Sequence, residues 1–544
     1  MAATQASTTE QNAPRAARGP LARLSASAPY WLAAAICAVY ALLPTNHFNG
    51  DGLAQIARVV QSGGHPALSP RYALYYPLMG LVAGHAEVAD PLGYVRRLQG
   101  VNTILAAVAL LSVFWLASYW TQNRRLAMAV MAATGFSFAF WEYATDVGYV
   151  MFAFAAALLC LVLPAAPARR GVPLPAAAVL SGLGAAAAAL CYLGNVTAWP
   201  ALLWTLWDGY GWTSRRARLG ALLLFGAMLL VVAAGGMAMS IRHGLTPGPA
   251  AFVHWVTQRN TYPGWSEFTA NTPRAALGGF LCALQNFYTG LYLRRLSHGQ
   301  VTWPRLPAQA SLGVVLLMAL AIPVAWLRAG RRLWRGSPAL WTFCALWLVP
   351  ASLFDAFQAA DDPKFWINTL VPVFLAASLS LRALFRRDVF LWVPAVLLAG
   401  NLATPMWGWH DASNLADLRA AAQAGHFLGP HDLVLAPIYD WTQNLPAFAR
   451  REQYCLLDLA DRNATPESAR RRLRGQVAAA RAQGGRVYLS GVDQMGPEGW
   501  GWVQSVTRLS PHEVLAHVGP VRWTDGRRTL WEYRPDTPAG GAGQ

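Results

Sequence analysis

Residues 46–76, NHFNGDGLAQIARVVQSGGHPALSPRYALYY, directly follow the first long apolar segment and decide how the rest of the chain is interpreted. They contain a single carboxylate, Asp51, between Gly50 and Gly52, and then an amphipathic run at 53–60. Glycine on both sides lets the backbone turn tightly and gives a ligand close access. This setting favours a functional acid, and the alternative is an ordinary exposed aspartate in a turn.

The composition predicts a polytopic, all-α membrane protein. Of the 544 residues, 55% are hydrophobic and only 13% are charged, and the mean hydropathy is +0.30. A soluble chain carries about a quarter charged residues, and apolar runs of about 17–22 residues are long enough to cross a bilayer. We predict about eleven transmembrane segments, near 28–45, 99–120, 126–141, 147–164, 173–193, 195–208, 219–240, 309–327, 338–354, 367–383 and 389–406.

The net charge of +17 comes from short basic clusters between the apolar runs. This is the positive-inside pattern and not a basic stripe, so no nucleic-acid partner is expected. The clusters predict that the N-terminal tail at 1–27 is cytoplasmic, in a protein of the inner or plasma membrane. A cleaved signal peptide is the alternative for the first apolar run. No small-x-small site follows that run, so we expect it to remain uncleaved. The predicted outer segments are a first loop at 46–97, a short loop at 141–146, a long loop at 241–307 and a loop at 355–366.

Two regions depart from the transmembrane pattern. The apolar run at 275–293 is predicted to be an interfacial or re-entrant helix, because counting it as a span would move later basic clusters to the other side. After the transmembrane module at 28–406, apolar runs shrink to strand length at 433–436, 454–457, 486–490 and 530–533, with a helical pattern at 465–483. Alternating strands and helices predict a small extracytoplasmic α/β domain at 407–544.

Two further acids lie in the sequence FWEYATDVGY at 140–149. Glu142 and Asp146 are four residues apart, so they share a face if the stretch is helical. A very short connection between spans holds acids near the interface or in a wet cavity, where such groups tend to be functional. With Asp51 they would converge from two loops of one side; the alternative is that they mark helix ends.

Lys364 is the only lysine in the chain and begins a predicted span. The amino end of a helix favours an anion, so a cation there suggests an anionic ligand such as phosphate lying between them. The alternative is an interfacial lysine beside Trp366. Asp361 and Asp362 could pair with Lys364 or bind a metal.

The long outer loop at 241–307 contains many arginines interleaved with aromatic residues. A basic outer loop of this kind suits an anionic lipid headgroup or a pyrophosphate, and the alternative is unspecific contact with the lipid surface. Tyr72, Tyr75 and Tyr76 are interpreted as interfacial belt residues. The candidate phosphate-binding residues besides Lys364 are His65, Arg71, Arg259 and Arg294.

These residues together resemble the GT-C glycosyltransferases, and within them the protein O-mannosyltransferase-like branch. The resemblance covers about 28–165 and, less specifically, 355–385. It rests on Asp51, the run 53–60, His65-Pro66 with Tyr76-Pro77, Asn102, Trp141, Asp146-Val147-Gly148-Tyr149 and Lys364-Phe365 with Pro372. The chain departs from the family pattern in several places. Its first acid is single, whereas many GT-C enzymes carry paired acids, and Ala67 rather than a second Pro follows His65-Pro66. Asp146 stands where Glu is usual, Gly148 is inserted, and the C-terminal region has no counterpart.

The resemblance implies a membrane enzyme that transfers a sugar, mannose-type or another hexose or pentose, from a polyprenyl-phosphate carrier to an acceptor hydroxyl on a protein, lipid or glycan, with inversion. Asp51 would be the general base, Asp146 or Glu142 would orient the acceptor or hold Mg²⁺ or Mn²⁺, and Lys364 and the loop arginines would stabilise the leaving lipid phosphate. The alternatives are a transporter or flippase for a lipid-linked saccharide and a non-catalytic subunit of envelope assembly.

Overall fold

A computed structural model describes the chain over residues 20–46, 48, 50–61, 74–83, 91–169, 172–209, 214–242, 268–285, 305–385, 389–410, 415–438, 441–459 and 465–535. Over these residues the chain forms a helical module followed by a smaller part that contains a β-sheet. The helices of the module are α1 (Pro20–Leu42), α2 (Gly50–Gln61), α3 (Tyr75–Ala83), α4 (Pro91–Thr121), α5 (Arg124–Phe136), α6 (Phe138–Thr145), α7 (Val150–Arg169), α8 (Leu174–Cys191), α9 (Trp199–Gly209), α10 (Arg215–Arg242), α11 (Thr272–Leu284), α12 (Arg305–Gly336), α13 (Pro338–Ala359), α14 (Pro363–Phe385), α15 (Val393–Asn401) and α16 (Trp407–His410).

Within the described residues, five helical segments are long and apolar enough to cross a membrane: Leu92–Thr121, Leu174–Cys191, Gly313–Gly336, Pro338–Ala359 and Pro363–Phe385. A sixth is added if the bent pair α5 and α6 counts as one span. The predicted helical membrane module is therefore confirmed, but the number of eleven spans is not. One reason is that apolar runs can be broken: the run at 195–208 divides into a 3₁₀ turn, Leu193–Ala198, and α9, whose 11 residues extend only about 16 Å.

The predicted span at 126–141 is interrupted at Ser137. The backbone of Ser137 is extended, and α5 and α6 on either side of it meet at an angle of 63°. The side-chain amide of Asn401 donates hydrogen bonds to the carbonyl oxygens of Phe136, at 2.8 Å, and Leu284, at 3.0 Å, so it provides donors where two helices end inside the module. The prediction of a short loop at 141–146 is wrong, because this break comes earlier and residues 141–145 belong to α6.

The C-terminal part confirms the predicted small sheet. It contains β1 (Leu433–Ala436), β2 (Glu452–Cys455), β3 (Val487–Ser490), β4 (Val518–Thr524) and β5 (Thr529–Tyr533), in the order β2-β1-β3-β5-β4. The first three strands are parallel, and β5 pairs antiparallel with both β3 and β4. Its helices are α17 (Ala416–Phe427), α18 (Leu445–Phe448), α19 (Pro466–Ala482), α20 (Pro497–Thr507) and α21 (Pro511–Leu515).

Helices cover both faces of this sheet. Leu433 and Leu435 face α19 and α20, whereas Val434 faces α17 and the segment that leads into α18. This alternation follows from the period of two along a strand. The result is a three-layer α/β arrangement with one core on each side of the sheet.

The C-terminal part is seated on α2, the helix that begins at Gly50-Asp51-Gly52. Residues of α2 contact Trp441–Asn444 and α18. The apolar face of α2 is buried, with Ile56 and Val59 fully inaccessible to solvent. Because an amphipathic helix needs a partner for its apolar stripe, this contact holds the start of α2 in place.

Candidate functional site

The first turn of α2 lies directly against the turn that follows α6. Residue 51 is the second residue of α2 and not part of an open loop, which corrects the sequence interpretation. A Cβ atom at Gly52 would lie 2.9 Å from Cγ2 of Val147 and 3.2 Å from the backbone nitrogen of Gly148. Only glycine permits this approach, which brings the backbone of Asp51 beside the turn that carries Asp146.

Polar side chains hold the carbonyl groups of this turn. Asn102 donates from Nδ2 to the carbonyl oxygens of Asp146, at 2.9 Å, and Gly148, at 3.1 Å. Gln99 donates to the carbonyl oxygen of Thr145 at 2.6 Å, and the Tyr75 hydroxyl donates to that of Val147 at 3.0 Å. Buried carbonyls need such donors, so these hydrogen bonds stabilise the conformation of the turn.

Sequence reasoning missed two of these donors. Gln99 carried no signal, because a single glutamine at the start of an apolar run is ordinary. Tyr75 was interpreted as an interfacial belt residue, but its side chain is buried and bonded to the turn, and Tyr76 is buried as well. Asn102 was noted only through the family resemblance.

The carboxylates of Glu142 and Asp146 are buried. Asp146 is 1% exposed and Glu142 is 9% exposed. Oε2 of Glu142 has no hydrogen-bond partner among the described residues. A buried carboxylate without partners is costly, and such groups in apolar surroundings tend to mark functional sites.

Lys364 belongs to the same cluster. The charges of Asp146, Asp362 and Lys364 all act on Glu142, so the structure brings both acids and the only lysine together. Nζ of Lys364 is 2.8 Å from Oδ2 of Asp362, and the Lys364 backbone N–H donates to Oδ1 of Asp362 at 3.0 Å. Asp362 therefore provides the anion that the amino end of α14 favours, and it compensates the lysine.

The predicted loop at 355–366 is much shorter in the structure. Asp355 lies inside α13 and is 1% exposed, and only residues 360–362 connect α13 to α14. Trp366 is buried and donates from Nε1 to the carbonyl oxygen of Ala360 at 3.0 Å, so it is not an exposed interfacial residue. Helix α13 continues through Asp355. The sequence did not predict this, because an acid that follows an apolar run is normally interpreted as the end of a span.

Helix α11 packs closely on this connection. It contains residues 272–284 and therefore includes the first part of the run at 275–293, which was predicted to be an interfacial or re-entrant helix. A Cβ atom at Gly279 would lie 2.7 Å from Nε1 of Trp366 and even closer to the carbonyl oxygen of Ala360. A glycine contact thus fixes the position of the connection at 360–362 that precedes Lys364, as the Gly52 contact does for the turn that carries Asp146.

A narrow cleft lies beside Lys364. Asn368, one helical turn further on, lines it together with Tyr149 and Tyr192. Oδ1 of Asn368 is inaccessible and has no hydrogen-bond partner among the described residues. The cleft therefore combines a cation, an amide and aromatic walls next to the carboxylate cluster.

Several predicted site residues lie outside the described part of the chain. These are His65, Arg71, Arg259, Arg294 and the side chain of Asp51. Among the residues that the structure describes, no group of three or more His, Cys, Asp or Glu side chains forms a metal site. Glu142 and Asp146 are two neighbouring carboxylates, the kind of ligand that hard cations prefer.

Solved structures share this fold at low sequence identity. ArnT from Cupriavidus metallidurans bound to undecaprenyl phosphate matches with a TM-score of 0.52 and 13% identity over 93% of this chain and 97% of that chain. The apo state of the same protein matches with 0.52 and 12% over 93% and 98%. An Archaeoglobus fulgidus oligosaccharyltransferase tethered with an acceptor peptide matches with 0.50 and 12% over 94% and 74%.

At 12–13% identity these matches show a shared overall fold, and they do not confirm the protein O-mannosyltransferase-like branch. No protein-family model matches the sequence, and no curated protein matches it.

Proposed function

We propose that this protein is a membrane glycosyltransferase that moves a sugar from a polyprenyl-phosphate carrier to an acceptor hydroxyl. The fold is that of proteins whose structures contain undecaprenyl phosphate or an acceptor peptide. The observation that carries the proposal is the contact of Gly52 with Val147 and Gly148, which joins the Asp51 turn to the cluster of Glu142, Asp146 and Lys364.

In this proposal, Asp51 is the general base that accepts the proton of the acceptor hydroxyl as its oxygen attacks the anomeric carbon. The attack comes from the face opposite the phosphate, so the configuration inverts. A carboxylate at this place needs only to be within hydrogen-bond reach of the hydroxyl. The sugar is of the mannose type or another hexose or pentose, and the acceptor is a protein, lipid or glycan.

Lys364 stabilises the leaving lipid phosphate. Lys364 lines the narrow cleft beside α14, where Asn368 adds an amide. Fixed positive charge placed where negative charge develops is a large source of catalysis in a water-poor site. Asp362 holds the lysine side chain in this position before the carrier arrives. His65, Arg71, Arg259 and Arg294 are proposed to contribute to the same phosphate site.

Glu142 and Asp146 either orient the acceptor or hold a divalent cation. Two buried carboxylates, one with a partnerless oxygen, fit a hard ion such as Mg²⁺ or Mn²⁺. Such an ion would neutralise charge on the phosphate when bound. Treatment with a chelator separates the two roles, because only the metal role predicts loss of transfer that added Mg²⁺ or Mn²⁺ restores.

The proposed orientation places the N-terminus in the cytoplasm and the C-terminal part outside, in the inner or plasma membrane. The basic clusters support this orientation through the positive-inside rule. The reacting sugar would then meet its acceptor on the extracytoplasmic side, between the membrane module and the domain seated on α2.

The test is the Asp51→Asn variant in a membrane assay that follows labelled sugar from a polyprenyl-phosphate carrier to acceptor. Loss of a general base lowers the rate by about 100-fold or more. Asp208→Asn is the matched control, since Asp208 is an exposed aspartate at the end of α9. Normal expression with retained transfer in Asp51→Asn would remove Asp51 from the mechanism.

A further inference from the structure

A second cavity lies in the C-terminal part, away from the site described above. It is a cleft of about 970 Å³ between α19, α21 and the end of β5. Its apolar wall is formed by Leu473, Val477 and Leu509. A cleft of this volume is in the range that holds a small organic ligand.

The rim of this cleft is strongly basic. Arg470, Arg474 and Arg481 line it, and their spacing of four and seven residues places them on one face of α19. Glu513 is the single acid among the lining residues, and it forms an ion pair with Arg470. The lining residues therefore carry two more positive than negative charges.

A histidine in the cleft offers a further polar group. His517 lines the cavity and packs edge-on against the ring of Tyr533, with ring centroids 5.8 Å apart. Its Nδ1 atom is inaccessible and has no hydrogen-bond partner among the described residues. Because water cannot reach Nδ1, the part of His517 that lines the cleft is another edge of the ring, and a ligand is inferred from the arginines.

The cleft faces away from the membrane module. The core between the sheet and α19 contains Leu433 and Leu435, whereas the opposite face of the sheet carries the elements that contact α2. The sheet thus separates the arginines from the module. A ligand reaches them from water more directly than from the lipid surface.

We propose that this cleft binds a water-borne phosphate monoester, such as a phosphorylated saccharide. The planar forks of arginine match phosphate oxygens in geometry and charge. The two surplus positive charges match the two negative charges of a phosphate monoester. The apolar wall contacts the organic group to which the phosphate is attached. This site is separate from the proposed site of glycosyl transfer.

The test is binding of a hexose 1-phosphate and of inorganic phosphate to the full chain in phosphatidylcholine nanodiscs, measured by calorimetry. The single variants Arg474→Gln and Arg481→Gln should each weaken binding by about tenfold or more, because each loses a charge-assisted hydrogen bond. Arg471→Gln is the matched control: Arg471 is an exposed arginine of the same helix that does not line the cleft. We expect this control to bind like the wild type.

Each result decides the proposal. Saturable binding of the soluble phosphates that depends on Arg474 and Arg481 supports it. Equal weakening by Arg471→Gln would mean unspecific attraction by the charge of α19 and would overturn it. Absence of binding to the wild type, or competition by phosphatidic acid placed in the nanodisc, would overturn the water-borne phosphate ligand. The measurement involves no transfer reaction, so its outcome is independent of the proposed enzymatic function.

Discussion

Replacing Gly52 by alanine tests whether the contact between α2 and the Asp146 turn sets the geometry of the site. The added Cβ would lie 2.9 Å from Cγ2 of Val147 and 3.2 Å from the backbone nitrogen of Gly148. Since carbon atoms rest about 3.5–4.0 Å apart, the two segments must separate by about half an ångström. The Val147 methyl can rotate away, but the backbone of Gly148 cannot, because Asn102 holds its carbonyl group.

The expected consequence is a slower reaction in a protein that still folds. A displacement approaching 1 Å between reacting groups costs up to about 100-fold in rate, so we expect Gly52→Ala to lower kcat by about tenfold to 100-fold. Overpacking of this size costs about 1–3 kcal/mol of stability. The assay is the initial rate of labelled sugar transfer in membranes, normalised to the amount of folded protein.

Gly100→Ala is the matched control for this experiment. Gly100 lies in α4, where a Cβ atom would meet nothing within 4 Å. Alanine is favoured over glycine in a helix by about 0.5–1 kcal/mol, so this variant should be at least as stable as the wild type and equally active. The reasoning is refuted if the two variants transfer sugar at the same rate.

Three further predictions concern single side chains. Glu142→Gln keeps the shape of the side chain but removes its charge, and we expect kcat to fall by about tenfold or more. The control is Glu498→Gln at an exposed position. Equal rates for the two variants would contradict a role of the Glu142 charge in the reaction. Asn401→Leu leaves two buried carbonyls without their donors, so thermal unfolding in detergent should show a destabilisation of about 2 kcal/mol or more, and an unchanged Tm would exclude this role. Arg534 and Arg522 lower the pKa of Glu532 from 4.5 to about 2 in the folded protein. The ionised carboxylate therefore stabilises the folded state above about pH 4.5, and this stabilisation is lost as the pH falls from about 4.5 towards 2. The Tm of the wild type should fall more steeply over this range than that of Glu532→Gln, and parallel curves would count against the prediction.

The sequence predicted those features that depend on local pattern. The amphipathic run at 53–60 lies within α2, and the strands at 433–436 and 486–490 match β1 and β3 closely. These elements can be predicted because alternation and helical periodicity depend only on residues that are close together in the sequence. β4 was missed because its sequence, VGPVRWT, contains Gly and Pro and has two irregularities in its pairing with β5.

The sequence could not predict how distant segments meet. The break at Ser137 is hidden because one small polar residue hardly changes an apolar run, and Asn401 provides donors at this break from a far part of the chain. The approach of Gly52 to Gly148 is likewise a contact between segments without any shared local pattern. Only the chemistry of the residues, acids and a lone lysine in apolar surroundings, pointed to the cluster.

The most direct test of the account follows one labelled polyprenyl-phosphate sugar in proteoliposomes that contain the purified chain, acceptor and no nucleotide. A glycosyltransferase cleaves the bond between sugar and phosphate, so we expect free polyprenyl phosphate to appear in equal amount to glycosylated acceptor. Lys364→Met should slow this release because the leaving phosphate loses its cation. Movement of the intact lipid-linked sugar across the bilayer, without cleavage, would contradict the account and indicate a transporter.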